Sequence, residues 1–293
     1  MSASSPALPG VSWRASGAGL AAAALWGIAD VTSKLVFLTG ADPLTVATLR
    51  GGVSLGFMLV WMGLTPAAVA LSRRDIAIAL LLGVLFAANV LGVYNALANL
   101  PVPIAILAYF IYPLLTGLVG AALGLERLDL RGGVVALVAF GGLALMIGAS
   151  PTALNPLGLA AAFVAAAMRV AMLLLTRAKL SRADVRLTTW YSSLSSTAVL
   201  AALLLLTRAW APPVGVGGIE VFILMALASS AGMAAMLASA ARIGAFRTAL
   251  LMNFEPVIST IGAMVVLGDT LTLLQYLGAV IMVTALCVFQ MAR

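Results

Sequence analysis

YNALANLPVPIAILAYFIYPLLTGLVGAALGLERLD, residues 94–129, and LASAARIGAFRTALLMNFEPVISTIGAMVVLGDTLT, residues 237–272, decide the fold. The second stretch lies 143 residues after the first and aligns without a gap, setting Pro256 on Pro113, Glu255 on Tyr112, Ala241 on Ala98, Leu250 on Leu107 and Asp269 on Glu126. Few letters agree, but the layout does: an apolar helix with a proline in its middle, then a short charged exit. The chain reads as two copies of one unit, with the proline-broken helix as its functional centre.

Composition names the solvent. Of 293 residues 63% are hydrophobic and 9% charged, and the mean hydropathy is +1.18. A water-soluble domain cannot hide that much apolar surface, so the lipid bilayer is the partner of most of it. The net charge of +7 does not point to nucleic acid, because the basic residues form neither a run nor a face. A single cysteine, Cys287, excludes an intramolecular disulfide and a cysteine metal cluster. Histidine is absent, which removes the commonest general base and zinc ligand. No catalytic residue, metal site or cofactor is expected, and the chain does not read as an enzyme.

A spanning helix needs about 20 mostly apolar residues. The apolar stretches fall at 17–38, 44–64, 75–97, 102–123, 131–149, 156–177, 188–206, 219–241, 247–267 and 272–290, which makes ten spans joined by short turns. Residues 1–16 read as a polar tail. A signal peptide is the alternative, but the apolar stretch continues through Trp26, Asp30 and Lys34 and favours an uncleaved first span. Of the sixteen basic residues, twelve fall on the side shared by the two termini, and only Arg208 on the other. Lys34, Arg50 and Arg169 lie inside spans. That bias places both termini in the cytoplasm.

Ten spans that repeat at 143 residues make two units of five, expected at 17–149 and 150–293. An odd number of crossings forces the second copy to enter from the opposite side. The expected fold is thus an all-α polytopic membrane protein of two inverted five-helix repeats, an arrangement that secondary transporters use for alternating access.

Several motifs now fall into order: Trp26-Gly27 with Lys34, Tyr112-Pro113 with Gly124-Leu125-Glu126, Glu255-Pro256 with Gly268-Asp269, and Gly278 in the last span. Together they resemble the drug/metabolite transporter superfamily, in its ten-helix form built from two EamA-type repeats, over residues 17–290. Within it the chain looks most like bacterial amino-acid exporters, including those for aromatic amino acids. The first repeat departs from the pattern at Tyr112, where the second has Glu255, so the two centres need not share a role.

Polar residues inside spans are the candidates for function. Glu255 lies about eight residues, or roughly 12 Å, into the ninth span. Pro256 beside it frees the Met252 carbonyl, as Pro113 frees that of Tyr109. The resemblance implies that the Glu-Pro pair recurs whatever the substrate. Two readings of Glu255 therefore stand, a packing or hinge role and a direct substrate or proton contact, with Pro113 and Pro256 as hinges. Asp30 and Lys34 share a helix face; they either neutralise each other, gate the outer mouth, or lend one member to a zwitterionic substrate. Arg169 sits mid-span with no acid within a turn. Either it holds a substrate carboxylate, or it ties to Glu255 or Asp30.

Asn89, Asn95 and Asn99 in the third span, with Tyr109 and Tyr112, add amides and rings suited to an amphipathic organic solute, and Trp26, Ser229 and Asn253 could line the same cavity. Gly52-x-x-x-Gly56 and Gly120-x-x-x-Gly124 read as close-packing sites, within a monomer or between two copies. The expected function is export of small organic solutes, amino acids foremost, across the bacterial inner membrane. The same fold could instead carry cationic drugs or phosphorylated and sugar-nucleotide metabolites. The protein is expected as a monomer or homodimer.

Overall fold

The computed structural model describes residues 13–65, 70–99, 102–125, 130–147, 155–267 and 272–291. The expected charged exits at Glu126 and Asp269, and most of the expected N-terminal tail, lie outside these. The first repeat holds α1 (Trp13–Phe37), α2 (Pro43–Leu64), α3 (Arg73–Asn99), α4 (Val102–Tyr109), α5 (Tyr112–Ala122) and α6 (Leu130–Ile147). The second holds α7 (Pro156–Lys179), α8 (Val185–Thr207), α9 (Val216–Ile243), α10 (Ala245–Met252), α11 (Phe254–Leu267) and α12 (Leu273–Met291). α4 with α5, and α10 with α11, are halves of one broken span each, so twelve helices make ten crossings. Helix α1 begins at Trp13, a turn earlier than the apolar pattern suggests.

Helix boundaries keep the 143-residue offset. Trp13 and Pro156 open equivalent helices, as do Arg73 and Val216, Val102 and Ala245, and Leu130 and Leu273. Local chemistry sets these starts. Asp42 and Asn155 cap α2 and α7, their side chains accepting from Thr45 N (2.8 Å) and Leu157 N (2.9 Å), and a proline follows each cap. Gly244, at φ +97°, separates α9 from α10 in a conformation that a side chain would strain.

The broken spans do not break at their prolines. The interruptions fall at Phe110–Ile111 and at Asn253, so Pro113 and Pro256 are the second and third residues of the following half-helices. A helix tolerates proline in its first turn, where the missing N–H has no intrahelical acceptor, and the chain bends just before it.

Packing runs between the repeats. α1 lies on α9 and α3 on α7, an exchange of equivalent helices, while α6 lies on α12 and α2 on α8. Small residues permit this closeness. A Cβ on Gly142 would stand 2.7 Å from Met282 N, and one on Gly92 would stand 2.9 Å from the Ala161 carbonyl. Polar side chains cross the same seams. Asn89 donates to the Ala165 carbonyl (2.7 Å), Ser195 to that of Leu80 (2.6 Å), and the Ser54 and Ser193 hydroxyls meet at 3.0 Å. Gly52 and Gly56 take no part, since nothing lies within 4 Å of a Cβ built on either. Outward faces are apolar, with Leu206 and Val265 each 80% exposed, as lipid requires.

The repeats are not packed alike at their two ends. α7 meets α9 and α10, and Arg177 Nη1 donates to the Ala241 carbonyl at 3.0 Å. The equivalent helices, α1 with α3 and α4, have no comparable packing among the described residues. The two repeats thus differ, among the described residues, in how their first helix meets their third and fourth.

Candidate functional site

Arg169, mid-way along α7, is 3% exposed, and a buried arginine keeps its charge. Its Nε donates to the Tyr109 hydroxyl at 2.8 Å and its Nη1 to the Met236 sulfur at 3.0 Å. Its guanidinium carbon lies 5.5 Å from the Trp26 ring centroid, 5.9 Å from that of Tyr109 and 5.7 Å from that of Tyr112. These distances are within cation–π range. Tyr109 also stands edge-on to Phe110, at 5.3 Å between centroids. The cation thus sits in a cage of rings drawn from α1, the α4–α5 break and α5. Glu255, 6% exposed, is a neighbouring charge rather than a hydrogen-bond partner, and its Oε2 has none.

The cage has a symmetry that the chain number reveals. Trp26 and Arg169 are 143 residues apart, so they occupy the same place in the two repeats. Contact between equivalent residues puts the pseudo-twofold axis between them. Tyr112 and Glu255 form a second such pair around the same cation.

A pocket of about 30 Å³ lies beside the cage, lined by Trp26, Arg50, Ser54, Phe86, Ser193, Ser196, Ser229 and Ser230 among others. Arg50 stands against it, with its guanidinium carbon 5.8 Å from the Trp26 centroid and 5.3 Å from that of Phe86. Here too equivalent residues face one another: Arg50 with Ser193, and Phe86 with Ser229.

The structure gathers most of the residues that the sequence nominates. Trp26, Tyr109, Tyr112 and Arg169 form the cage, Glu255 and Asp30 stand within its electrostatic reach, and Ser229 lines the pocket. Ser229 also bonds its own helix, donating to the Ala226 carbonyl at 3.1 Å. Asn253, 3% exposed, marks the α10–α11 break. Asp30 is exposed, and the interior Glu255, Arg169 and Arg50 lie within its electrostatic reach. Lys34, also exposed, stands one turn further out.

Asn95 stands apart from the cage: it is exposed, and its amide donates to the Leu91 carbonyl of its own helix at 2.8 Å. Asn89, two turns below, is the interior amide, 4% exposed and beside Tyr109. The nominations omit Arg50, Phe86 and Met236. The 143-residue offset was the signal for the first two, since it pairs Arg50 with a serine and Phe86 with Ser229.

Ten crossings in two inverted repeats, with buried charge and unpaired polar atoms on the axis between them, define a membrane carrier. The chain belongs to the EamA-like transporter family, which matches it over residues 13–148 and 156–291, again 143 residues apart. It is a drug/metabolite-type transporter embedded in a membrane, acting on a small-molecule solute. No curated protein matches it significantly. One crystal structure superposes with a TM-score of 0.78 at 21% identity, covering 94% of this chain and 96% of its own, a likeness of fold.

Proposed function

We propose that this carrier exports small organic solutes, amino acids including aromatic ones, across the bacterial inner membrane by alternating access. One observation carries the reading. Around the buried Arg169 the indole Nε1 of Trp26, the hydroxyl of Tyr112 and Oε2 of Glu255 are buried without hydrogen-bond partners. Unpaired buried polar atoms are costly, and a solute bringing donors and acceptors would satisfy them. The surrounding rings suit an aromatic side chain. Two arginines, Arg50 and Arg169, face two acids, Asp30 and Glu255. That balance fits a zwitterion better than a cationic drug or a doubly charged phosphate.

The basic residues support cytoplasmic termini. Rocking of the repeats about Pro113 and Pro256 would expose the solute to each side in turn. Asp30 and Glu255 are the central carboxylates through which a proton could be exchanged for solute. The test is uptake of labelled phenylalanine, tryptophan, threonine and methionine into liposomes holding only this protein, with and without a pH gradient. Saturable uptake is expected. Uptake of none of the four contradicts the amino-acid reading.

A further inference from the structure

We infer that Arg50, rather than Arg169, receives the carboxylate of the transported solute, and that the Arg50 pocket is its anion subsite. The inference rests on the reading of the solute as an amino acid and assigns its head group a place. Arg169 is spent: it is 3% exposed, it donates to Tyr109 and Met236, and three rings enclose it.

Arg50 differs in each respect. It is only half-buried, and among the described residues its guanidinium makes no hydrogen bond, touching the faces of Trp26 and Phe86 instead. Ring faces satisfy charge but accept no N–H well, so five donors stand ready beside the pocket. The opposite wall is hydroxyl. Ser54 and Ser193 share a hydrogen bond of 3.0 Å, and Ser196 donates to the Ser193 carbonyl at 3.1 Å. Either hydroxyl of the Ser54–Ser193 pair can turn to donate to an arriving oxygen, since a hydroxyl rotates to suit its partner.

Size and charge narrow the ligand further. The pocket is small, with about 30 Å³ open to water. It can take a carboxylate, with the rest of an amino acid extending along Trp26. The charged and titratable neighbours of Arg50 are Tyr94, Asp30 and Arg169. Asp30, exposed and near Arg50, is the acid placed for the ammonium of the same solute. Arg50 and Ser193 are equivalent in the two repeats, so the subsite lies on the axis, where both access states can reach it.

The test uses the detergent-solubilised full chain and three probes: phenylalanine, phenylpropionate, which keeps the carboxylate, and phenylalaninamide, which lacks it. Both acids should bind the native chain. Arg50→Gln should weaken both acids about 30-fold and change the amide less than about threefold, the range of a charge-assisted hydrogen bond. Arg50→Lys should recover part of the loss, since an ammonium restores charge without the fork. Retained amide binding shows that the variant has folded.

Equal losses for acids and amide, or binding of neither acid to the native chain, would overturn the inference. The two proposals fail separately. Amino-acid flux in liposomes that survives Arg50→Gln removes the subsite and leaves the transport reading. Acid binding through Arg50 without flux of any amino acid does the reverse.

Discussion

Trp26 and Arg169 are the same position of the two repeats, and they touch, the guanidinium carbon lying 5.5 Å from the indole centroid. A cation and its ring partner thus stand at one equivalent position of the two repeats. The interaction therefore joins the repeats at their axis. A double-mutant cycle with Trp26→Leu and Arg169→Met, followed by thermal unfolding in detergent, should give a coupling of about 1–2 kcal/mol. Additive single effects would show that the contact is incidental.

Close helix approach is concentrated at particular glycines. A Cβ on Gly83 would run into the Ser192 carbonyl and the Ser195 hydroxyl, where α3 meets α8. Gly83→Ala should cost about 3 kcal/mol, because backbone stands in the way. Gly52→Ala meets nothing within 4 Å and should gain about 0.5 kcal/mol, as alanine replaces glycine inside a helix. Melting temperatures of the two variants in one detergent check both signs.

At the α7–α8 turn, Asp184 accepts from Arg186 Nη2 at 2.6 Å, from its Nε at 3.1 Å and from its backbone N–H at 2.9 Å. The Arg186 side chain also donates to the Thr65 carbonyl at the end of α2. Hydrogen bonds from the Arg186 side chain, foremost, hold the Asp184 carboxyl below its ordinary range. A depressed folded value means that the stabilisation is complete above the unfolded value, near about 3.9. It is lost as pH falls through the lower folded value. The pair is partly exposed, so the loss should be under about 1 kcal/mol. Asp184→Asn should flatten the acid limb of the melting curve while keeping the helix cap. Asp184→Ala should cost about 1 kcal/mol more at neutral pH.

Pro256 denies the Met252 carbonyl its helical donor just after the Asn253 break. Pro256→Ala restores that donor and should straighten the α10–α11 span. Affinity for solute should stay within about threefold while turnover falls several-fold, because a stiffened hinge slows exchange between states without altering contacts. Comparing binding in detergent with counterflow in liposomes separates the two effects. A loss confined to affinity would place Pro256 in the binding surface instead.

Much of the fold was legible because lipid imposes it. Apolar length gave ten crossings, and the 143-residue echo of Pro113 in Pro256 gave the two repeats and their inversion. Helix starts followed from caps such as Asp42-Pro43 and Asn155-Pro156. The breaks were misplaced by two or three residues, because a proline is read as the break when it stands just inside the next half-helix.

The site was harder to read. Helices apolar on every face carry no periodic stripe, so nothing in the sequence says which way Asn95 or Asn89 turns. Arg169 stood out as an in-span charge, but its partners, Tyr109 and Met236, come from other helices and leave no local trace. Arg50 was visible as a charge inside a span. Its importance comes from having Ser193 opposite, which the repeat offset encodes and local pattern does not.

The most direct test of a carrier with its site on the repeat axis is accessibility from each side of the membrane. Ser229 lines the pocket and is 3% exposed, and Cys287 is the chain's single cysteine. A Ser229→Cys, Cys287→Ser protein in oriented vesicles can be labelled with an impermeant thiol reagent added to one side or the other. The account predicts labelling from both sides, slowed from each by phenylalanine. Labelling from one side alone, unchanged by solute, would describe a fixed pocket and contradict alternating access at this site.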